Sequence, residues 1–348
     1  MSSVVPDQDA RQLGRERRSQ EIAEARAWLT AAGVRLSELE ENALWHCLLA
    51  TGLLWVVIGV AVLMAARCGI VAFLAAIPAI GVAQRGLGNL FHDLAHAGSR
   101  HNRLVERILE VFLGLPMFTS IGEYRRNHFA HHANLGDPSL DPDFIHDFRI
   151  LQKGPLRSYL EYVRRKTIWL SSTFGQLAGG PTSARMAITI WWSIILFAVG
   201  RLLGLRVAII LIALWFLSRA TFFHFVTTFR EMADHVGLEP GGIKSFTRNS
   251  PSHGFWRRII HPLNNGLHIA HHLLPRVPYY RLRAAHEQLL AWTEYAKLEH
   301  CPTYLLDRSG QEGPPSVAVS FSRLALTEGK SFDVASTRTA SDRRRRRA

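Results

Sequence analysis

The stretch EYRRNHFAHHANLGDPSLDPD, residues 123–143, places three histidines within five positions. If this stretch is helical, His128, His131 and His132 stand at i, i+3 and i+4, and their imidazoles share one face of the helix. Neutral imidazole is a borderline ligand that suits iron, zinc and copper. The spacing therefore predicts a metal-binding helix.

Two further histidine clusters flank this stretch along the chain. HIAHH at residues 268–272 repeats the HxxHH pattern, and HDLAH at residues 92–96 supplies a pair at i, i+4 spacing. Together the three clusters hold eight histidines, which is more than one tetrahedral zinc site needs. We therefore expect two metal ions.

Four long apolar runs predict an all-α integral membrane protein. They lie at about residues 46–66, 69–90, 187–203 and 207–226, close to the roughly 20 residues that cross a bilayer core. The connection within each pair is short, which predicts two tight helical hairpins. A moderately apolar stretch at residues 104–119 is too charged and too short to span, so we expect it to be interfacial or re-entrant.

Four crossings bring all three histidine clusters to one side of the membrane. The connections on the opposite side carry only Arg67, Arg201 and Arg206, whereas most Lys and Arg lie on the side of the clusters. The positive-inside rule then predicts a cytoplasmic helical cap that holds a di-metal site. Both termini are expected on that side, and we take the membrane to be a bacterial inner membrane.

Two polar segments flank the predicted membrane domain, residues 43–300. Residues 1–42 have no apolar run and are expected to be solvated or to lie on a surface, with an amphipathic helix near residues 21–31. Residues 301–348 lose periodicity, end in a run of arginines and are expected to form a disordered basic tail.

The composition argues against several other classes of protein. The net charge of +13 over 348 residues would suit nucleic acid, but the basic residues flank the apolar runs, so we expect no nucleic-acid partner. The three cysteines, Cys47, Cys68 and Cys301, have no CxxC spacing. They therefore argue against a disulfide framework, a zinc ribbon, or a fused rubredoxin or ferredoxin domain.

The order HDLAH, HFAHH and HIAHH, interleaved with two membrane hairpins, resembles the membrane fatty acid desaturase and hydroxylase superfamily. HHANLGDPSLDPD is similar to the second histidine box of that superfamily, and HHLLPRVPYYRL resembles the third box with its Pro-aromatic continuation. The resemblance covers about residues 88–282. The two Asp-Pro pairs and HHLLPRVPYY favour the desaturase branch.

The resemblance implies a non-haem di-iron centre that activates O2 and removes hydrogen from an unactivated C–H bond. The substrate would be a fatty acyl chain, as free lipid or as a coenzyme A or acyl carrier protein thioester. A further histidine is implied in an NxxxH setting, where FREMADH supplies His235 with Glu231 in place of Asn. The sequence leaves open whether Glu231 binds iron directly, binds it through a water molecule, or does not bind it. The nine expected iron ligands are His92, His96, His128, His131, His132, His235, His268, His271 and His272.

Metal-bound histidines usually donate their second ring nitrogen to a carboxylate or carbonyl. The carboxylates beside the boxes are candidates for this role: Asp93, Asp137, Asp141, Asp143 and Asp234. For Asp137-Pro138 and Asp141-Pro142, turn formation explains the sequence equally well. The remaining histidines lack paired spacing and are expected at the surface or the interface: His46, His101, His146, His224, His253, His261, His286 and His300.

The acyl chain is expected in an apolar tunnel between the spans and the cap. Aromatic residues of the fourth run are candidates to line it, although they equally fit packing or lipid-facing roles: Trp215, Phe216, Phe222, Phe223 and Phe225. Arg125 and Arg126 either pair with a phosphate of the substrate's head group or belong to the positive-inside pattern. Arg85 is expected to extend from the end of the second run to the interface.

Neither an HPGG haem motif nor a GxGxxG nicotinamide motif occurs, so a separate electron donor of ferredoxin, rubredoxin or cytochrome b5 type is expected. Two alternatives stay open. The same ligands serve a hydroxylase or ketolase, which inserts oxygen instead of removing a second hydrogen. A non-catalytic metal-binding transporter or sensor is disfavoured, because its histidines are expected within the spans or along a path across the bilayer.

Overall fold

The structure, a computed structural model, describes residues 8–41, 43–97, 102–251, 253–305 and 315–321. Within these ranges it is built from helices and contains no β-strand beyond isolated bridges. Four helices are long and apolar enough to cross a membrane. The predicted class, all-α with four membrane-spanning helices, is thus confirmed.

The four long helices form two hairpins. Span 1 (Leu44–Arg67) and span 2 (Gly69–Ala97) are joined through a single residue, as are span 3 (Thr182–Leu203) and span 4 (Leu205–Ser218). The residue between spans 3 and 4, Gly204, has a φ of 96°. Glycine adopts this left-handed conformation without a steric penalty, so the chain reverses within one residue.

The outer faces of the spans are apolar. Val71 on span 2, Phe197 on span 3 and Leu205 on span 4 are 72–76% exposed. An apolar surface of this kind is expected where a bilayer covers the protein.

Aromatic side chains fill the space between the spans. The ring of Trp215 lies 5.8 Å from that of Trp55 and 5.1 Å from that of Trp192. Phe118, which belongs to the cap, lies 5.9 Å from Trp192. Because aromatic pairs at these distances pack closely, the core between the hairpins is closed rather than hollow.

Spans 2 and 4 continue into the cap beyond their predicted ends. Span 2 runs to Ala97, and span 4 passes through a π-helical turn, Arg219–Phe223, into the helix His224–His235. Turns of this type are rare and occur frequently at functional sites. The extension corrects one prediction, because Arg85 is buried and donates to the Ile260 carbonyl at 3.4 Å instead of reaching the interface.

The cap surrounds two helices that carry histidines, the second-box helix (Ile121–Asn134) and the third-box helix (His268–Leu273). The helix Arg103–Leu113 has Ile108 exposed and Leu109 buried, a two-faced pattern that suits the predicted interfacial segment. The other cap helices are Phe148–Leu151, Pro155–Arg164, Lys166–Phe174, Gln176–Gly179, Ile243–Phe246, Phe255–Ile260, Pro262–Asn264, Tyr279–Leu289 and Thr293–Ala296.

The N-terminal segment lies on the surface of the cap, which is one of the two placements expected for it. Its helix begins earlier than predicted, spans Gln8–Ala31, and is followed by the short helix Leu36–Leu39. Ala25 and Leu29 are completely buried in a core that includes residues of the third-box helix. Glu21 accepts a hydrogen bond of 2.6 Å from the backbone N–H of Ile243.

The predicted disordered tail is ordered in the part that the structure describes. Tyr304, Val317 and Phe321 are buried in one core cluster, and Val317–Ser320 forms a helical turn. The segment is rich in Ser and Gly, but its few apolar side chains are enough to pack it against the cap. The terminal arginines lie outside the described residues, as does His101.

Candidate metal centre

Four helices bring the nine predicted ligands together. Span 2 supplies two, the helix His224–His235 supplies its last residue, and each box helix supplies three. Their ring nitrogens form two groups, within each of which the atoms lie within 4.8 Å of one another. The first group is His92, His96, His128, His132 and His271, and the second is His131, His235, His268 and His272.

Each box contributes to both groups. In the second box, His128 and His132 at i and i+4 join the first group, while His131 at i+3 joins the second. In the third box, His271 at i+3 joins the first group, while His268 and His272 at i and i+4 join the second. Helix geometry explains the division, because i and i+4 lie about 40° apart around the axis, whereas i+3 lies about 60° to the other side of i.

The distances within the groups fit metal coordination. Neighbouring Nε2 atoms approach one another at 2.8–3.2 Å: His96–His128 2.8 Å, His128–His132 3.1 Å, His92–His271 3.1 Å, His132–His271 3.2 Å, His235–His268 2.9 Å and His268–His272 3.0 Å. With metal–nitrogen bonds of about 2.1 Å, neighbouring ligand nitrogens lie about 3.0 Å apart at octahedral angles and about 3.4 Å apart at tetrahedral angles. The observed spacing is therefore closer to that of octahedral than of tetrahedral coordination. The first group has one donor more than a tetrahedral zinc site uses, and the second group has four donors.

The two groups are direct neighbours. The rings of His132, in the first group, and His272, in the second, stack with centroids 4.2 Å apart. His131 and His132, which also belong to different groups, have centroids 5.7 Å apart. Two ions held by these groups would lie side by side, as in a two-metal site.

Burial keeps most of these imidazoles in the form that binds metal. Metal binding requires the neutral ring, and taking a ring out of water disfavours its protonated form. Burial accordingly lowers the pKa of the box-helix histidines well below 6.5 in five cases: His128, His132, His268, His271 and His272. These rings are neutral at pH 7.

Hydrogen bonds at Nδ1 leave Nε2 free for a metal ion. The Nδ1 of His131 lies 2.8 Å from Oδ1 of Asp141, and the Nδ1 of His235 lies 2.8 Å from the carbonyl of Phe246. Burial opposes the protonation of His131, but Asp141 raises the pKa of His131 above its usual value. An acceptor at Nδ1 fixes the tautomer and increases the basicity of the ligating nitrogen.

The two Asp-Pro pairs have different roles. Asp141 is buried, and its Oδ2 also accepts the N–H of Gly136 at 2.9 Å, so it supports both a ligand and a turn. Burial opposes its ionisation, but the bond from His131 holds the pKa of Asp141 below its usual value. Asp137 touches no histidine of the site; its Oδ1 accepts the backbone N–H groups of Ser139 and Leu140.

A buried network behind the second group was not predicted in full. Asp234 lies 3.7 Å from Nδ1 of His268, 3.3 Å from Nε2 of His261, and 2.8 Å from Nε of Arg230. His261 is completely buried and its Nδ1 also pairs with the hydroxyl of Tyr304 at 3.0 Å. The prediction that His261 is a surface residue is therefore wrong, and no local spacing in the sequence marks its role.

His224 is likewise buried and not at the surface. Its Nδ1 lies 2.7 Å from the hydroxyl of Ser172, and its Nε2 lies 2.9 Å from the carbonyl of Val163. Both ring nitrogens are thus used in packing the helix after span 4 against the cap.

The remaining three carboxylates of the predicted set serve different contacts. Asp143 lies 3.9 Å from Nδ1 of His131. Asp93 accepts the N–H of Tyr279 at 2.7 Å and lies 3.4 Å from Nδ1 of His92, so it joins span 2 to the continuation of the third box. Glu231 pairs with Arg230 at 2.7 Å and does not belong to either group of ring nitrogens.

A cavity of about 430 Å³ opens beside the two groups. Five of the histidines are among the residues that line it: His92, His128, His131, His235 and His268. The remaining lining includes Phe118, Tyr124, Asn127, Asp143 and Glu231. A substrate can approach the candidate metal ions through this cavity.

The structure bears on two alternatives that the sequence leaves open. None of the five aromatic residues expected to line a tunnel borders it in the described structure; Trp215 packs among tryptophans, and Phe216 packs on Phe118. Arg125 is not free for a head group, because it makes two bonds of 2.8–3.0 Å to Glu106 and also donates to the Leu94 and Ala95 carbonyls.

Comparison with known proteins identifies relatives of this arrangement. The profile of the fatty acid desaturase family matches residues 68–303. Dihydrorhizobitoxine desaturase of Bradyrhizobium elkanii is 29% identical over 68% of this chain and 73% of that protein. The chloroplastic omega-6 fatty acid desaturases of Brassica napus and Arabidopsis thaliana are 26% and 27% identical over 63% of this chain. The match spans only about half the length of these two plant proteins.

Proposed function

Because the chain belongs to the fatty acid desaturase family, we propose that it is a membrane-bound di-iron desaturase that forms a double bond in an acyl substrate. In the proposed reaction, one C–C single bond loses two hydrogen atoms, and O2, two electrons and two protons yield two molecules of water. The family and its desaturase-named relatives indicate an oxidoreductase.

One observation carries this proposal. Nine histidine side chains at one end of the spans form two adjoining groups, of five and of four. The spacing of their nitrogens fits octahedral coordination, and imidazole is a suitable ligand for iron. Iron bound there supplies the activation of O2 and the removal of hydrogen from an unactivated C–H bond.

The chain itself contributes ligand orientation and a defined place for the substrate. Asp141 and the Phe246 carbonyl hold the Nδ1 protons of His131 and His235, which directs both Nε2 atoms into the site. The cavity offers a bound molecule a place beside His128 and His268. Closely packed protein on the membrane side of the cavity limits access by bulk water.

We also propose that the cap faces the cytoplasm of a bacterial inner membrane and receives electrons from a ferredoxin, rubredoxin or cytochrome b5. Support for the orientation comes from the basic residues on the cap side, which match the positive-inside rule. Support for a separate donor comes from the missing HPGG and GxGxxG motifs.

The proposal is tested by purifying the full chain with iron, supplying ferredoxin, its reductase and O2, and measuring product masses for a panel of saturated acyl substrates. We expect two iron ions per chain and a product lighter by two hydrogens. His268→Ala, which leaves three nitrogens in the second group, is expected to lose one iron ion and the activity, while His253→Ala, at an exposed position, retains both. A product heavier by one oxygen would indicate a hydroxylase, and an iron-loaded protein that converts no substrate would refute the assignment.

A further inference from the structure

The cavity beside the histidines has an unusually polar wall for a site that would hold a hydrocarbon chain. No Leu, Ile, Val or Met is among the described residues that line it. Apart from the histidines, polar side chains and glycines predominate: Thr119, Glu123, Asn127, Asp143, Ser171, Gly175, Gln176, Gly179, Gly180, Arg230 and Glu231. Pockets that bind apolar ligands are lined mainly by apolar and aromatic side chains. A hydrocarbon chain bound here would remove water from the polar side chains of the wall without offering them new hydrogen bonds.

Several polar groups in this wall are available to a ligand. Within the described part of the chain, the hydroxyl of Tyr124 and the amide of Asn127 have no hydrogen-bond partner. The side chain of Asp143 is 46% exposed, and its Oδ2 lies 3.9 Å from Nδ1 of His131. These groups offer both donors and an acceptor close to the candidate metal ions.

Other polar groups of the wall are already engaged. Gln176 accepts from the N–H of Ser120 at 3.0 Å and donates to Thr119 at 2.8 Å, and Glu123 pairs with Arg126 at 2.9 Å. The three available groups named above belong to the second-box helix and the loop that follows it.

The cavity ends at Phe118, where the cap meets the packed core between the spans. The Phe118 ring lies 5.2 Å from Phe216 and 5.9 Å from Trp192, and the guanidinium of Arg219 lies 5.0 Å from its centre. Behind it, the tryptophans between the hairpins leave no continuation of the cavity among the described residues. A substrate therefore cannot extend past Phe118 without displacing packed rings.

The backbone holds Phe118 in a strained conformation. Its φ is 60°, in the left-handed region that a bulky residue rarely adopts. Its carbonyl accepts the N–H of Gln176 at 2.8 Å, and a Cβ at position 175 would approach that carbonyl to 2.6 Å, which explains Gly175. Strain of this kind persists where surrounding contacts enforce it and is concentrated at functional sites.

We propose that the substrate is a short, polar acyl compound, with a hydrogen-bonding group near the bond that is desaturated, and that Phe118 limits its depth. This inference rests on the proposed function and narrows its substrate class. In the bound complex, the polar group replaces water at Tyr124, Asn127 and Asp143, and the short carbon chain lies against Phe118. The carboxylates do not fix the sign of the substrate's charge, because they also balance the charge of metal ions at the adjoining histidines.

The test compares two sets of saturated probes with the iron-loaded full chain, ferredoxin, its reductase and O2. One set is octanoate, hydroxyoctanoate and aminooctanoate; the other is palmitate, palmitoyl-coenzyme A and a dipalmitoyl phospholipid. We expect kcat/KM for loss of two hydrogens to be at least about tenfold higher for the best polar short probe, because a misfit of one or a few methylenes costs this much. Equal or greater turnover of a palmitoyl probe would overturn the inference and leave the proposed function intact.

Variants test the role of Phe118 separately. Phe118→Ala is expected to shift the ratio of kcat/KM values at least about tenfold toward palmitoyl probes. Phe118→Leu retains bulk and should shift it less; it also serves if the alanine variant does not fold. Phe174→Ala is the matched control, since Phe174 packs on the same Phe216 ring without lining the cavity. An unchanged ratio in both folded Phe118 variants would refute the depth limit, and conversion of neither probe set would overturn the inference together with the proposed function.

Discussion

Replacing Asp141 by Asn is expected to weaken metal binding by the second group of histidines without unfolding the cap. Asp141 accepts from Nδ1 of His131 at 2.8 Å through one oxygen and from the N–H of Gly136 at 2.9 Å through the other. Asparagine has the same shape but only one acceptor oxygen. If that oxygen keeps the bond to Gly136, the amide presents N–H groups to Nδ1 and favours the tautomer whose Nε2 carries a proton.

The expected magnitude follows from the position of this contact. Removing the partner of a ligating histidine typically reduces metal affinity by about 10- to 100-fold, which corresponds to about 1.4–2.7 kcal/mol. The side chain of Asp141 is 1% exposed, so water cannot take over the contact and the upper part of this range applies. The loss of charge acts in the same direction, because Asp141 raises the pKa of His131 and thus its basicity.

The assay is a titration of metal-free protein with Fe(II) under anaerobic conditions, followed by competition with a chelator. Asp137→Asn is the matched control, since Asp137 lies in the same loop before a proline but binds Ser139, Leu140 and Arg11. We expect one weakened ion in Asp141→Asn and two ions of unchanged affinity in Asp137→Asn. Equal losses in both variants, or unchanged affinity in Asp141→Asn, would refute this account of the loop.

Three further outcomes are expected. Metal-free protein should lose stability as pH falls below 6.5, by about 1.4 kcal/mol per pH unit for each buried neutral histidine. The reason is that the histidines of the unfolded chain take up protons in this range, whereas the buried ones of the folded chain do not. Denaturation at several pH values measures the effect. Arg125→Gln should cost about 1.5–3 kcal/mol of unfolding free energy by leaving Glu106 unpaired, whereas the exposed Arg126→Gln should change it by less than about 0.5 kcal/mol. His261→Leu should cost about 1–3 kcal/mol and weaken iron binding, because Asp234 loses a buried partner; thermal unfolding and iron content in detergent check both.

The parts of the fold that the sequence predicts are those fixed by local pattern. The number of spans follows from the length of apolar runs, and the hairpins follow from connections too short for another arrangement. The gathering of the histidine clusters on one side follows from counting crossings. None of these predictions depends on how one helix packs against another.

The parts that the sequence does not predict depend on contacts between distant segments. His261 stands alone in the chain, and only the fold places it against Asp234. The N-terminal helix has as many charged as apolar residues and no apolar run, yet Ala25 and Leu29 are buried and help to dock it on the cap. From the sequence, Trp215 fits a tunnel wall and a packed core equally well. In the structure it stacks on Trp55, which places it in the core.

The division of adjacent histidines between two groups leads to a final prediction, since His271 belongs to the group of five and His272 to the group of four. His271→Ala leaves four nitrogens in its group, whereas His272→Ala leaves three, which is fewer than the four ligands of a closed zinc site and only half of an octahedral set. Iron content should therefore fall to about one ion per chain in His272→Ala and stay nearer two in His271→Ala. Elemental analysis of both proteins, purified in parallel, distinguishes these values. If neighbouring residues instead served one ion, the two variants would lose the same ion to a similar extent, and the two-group arrangement would have to be abandoned.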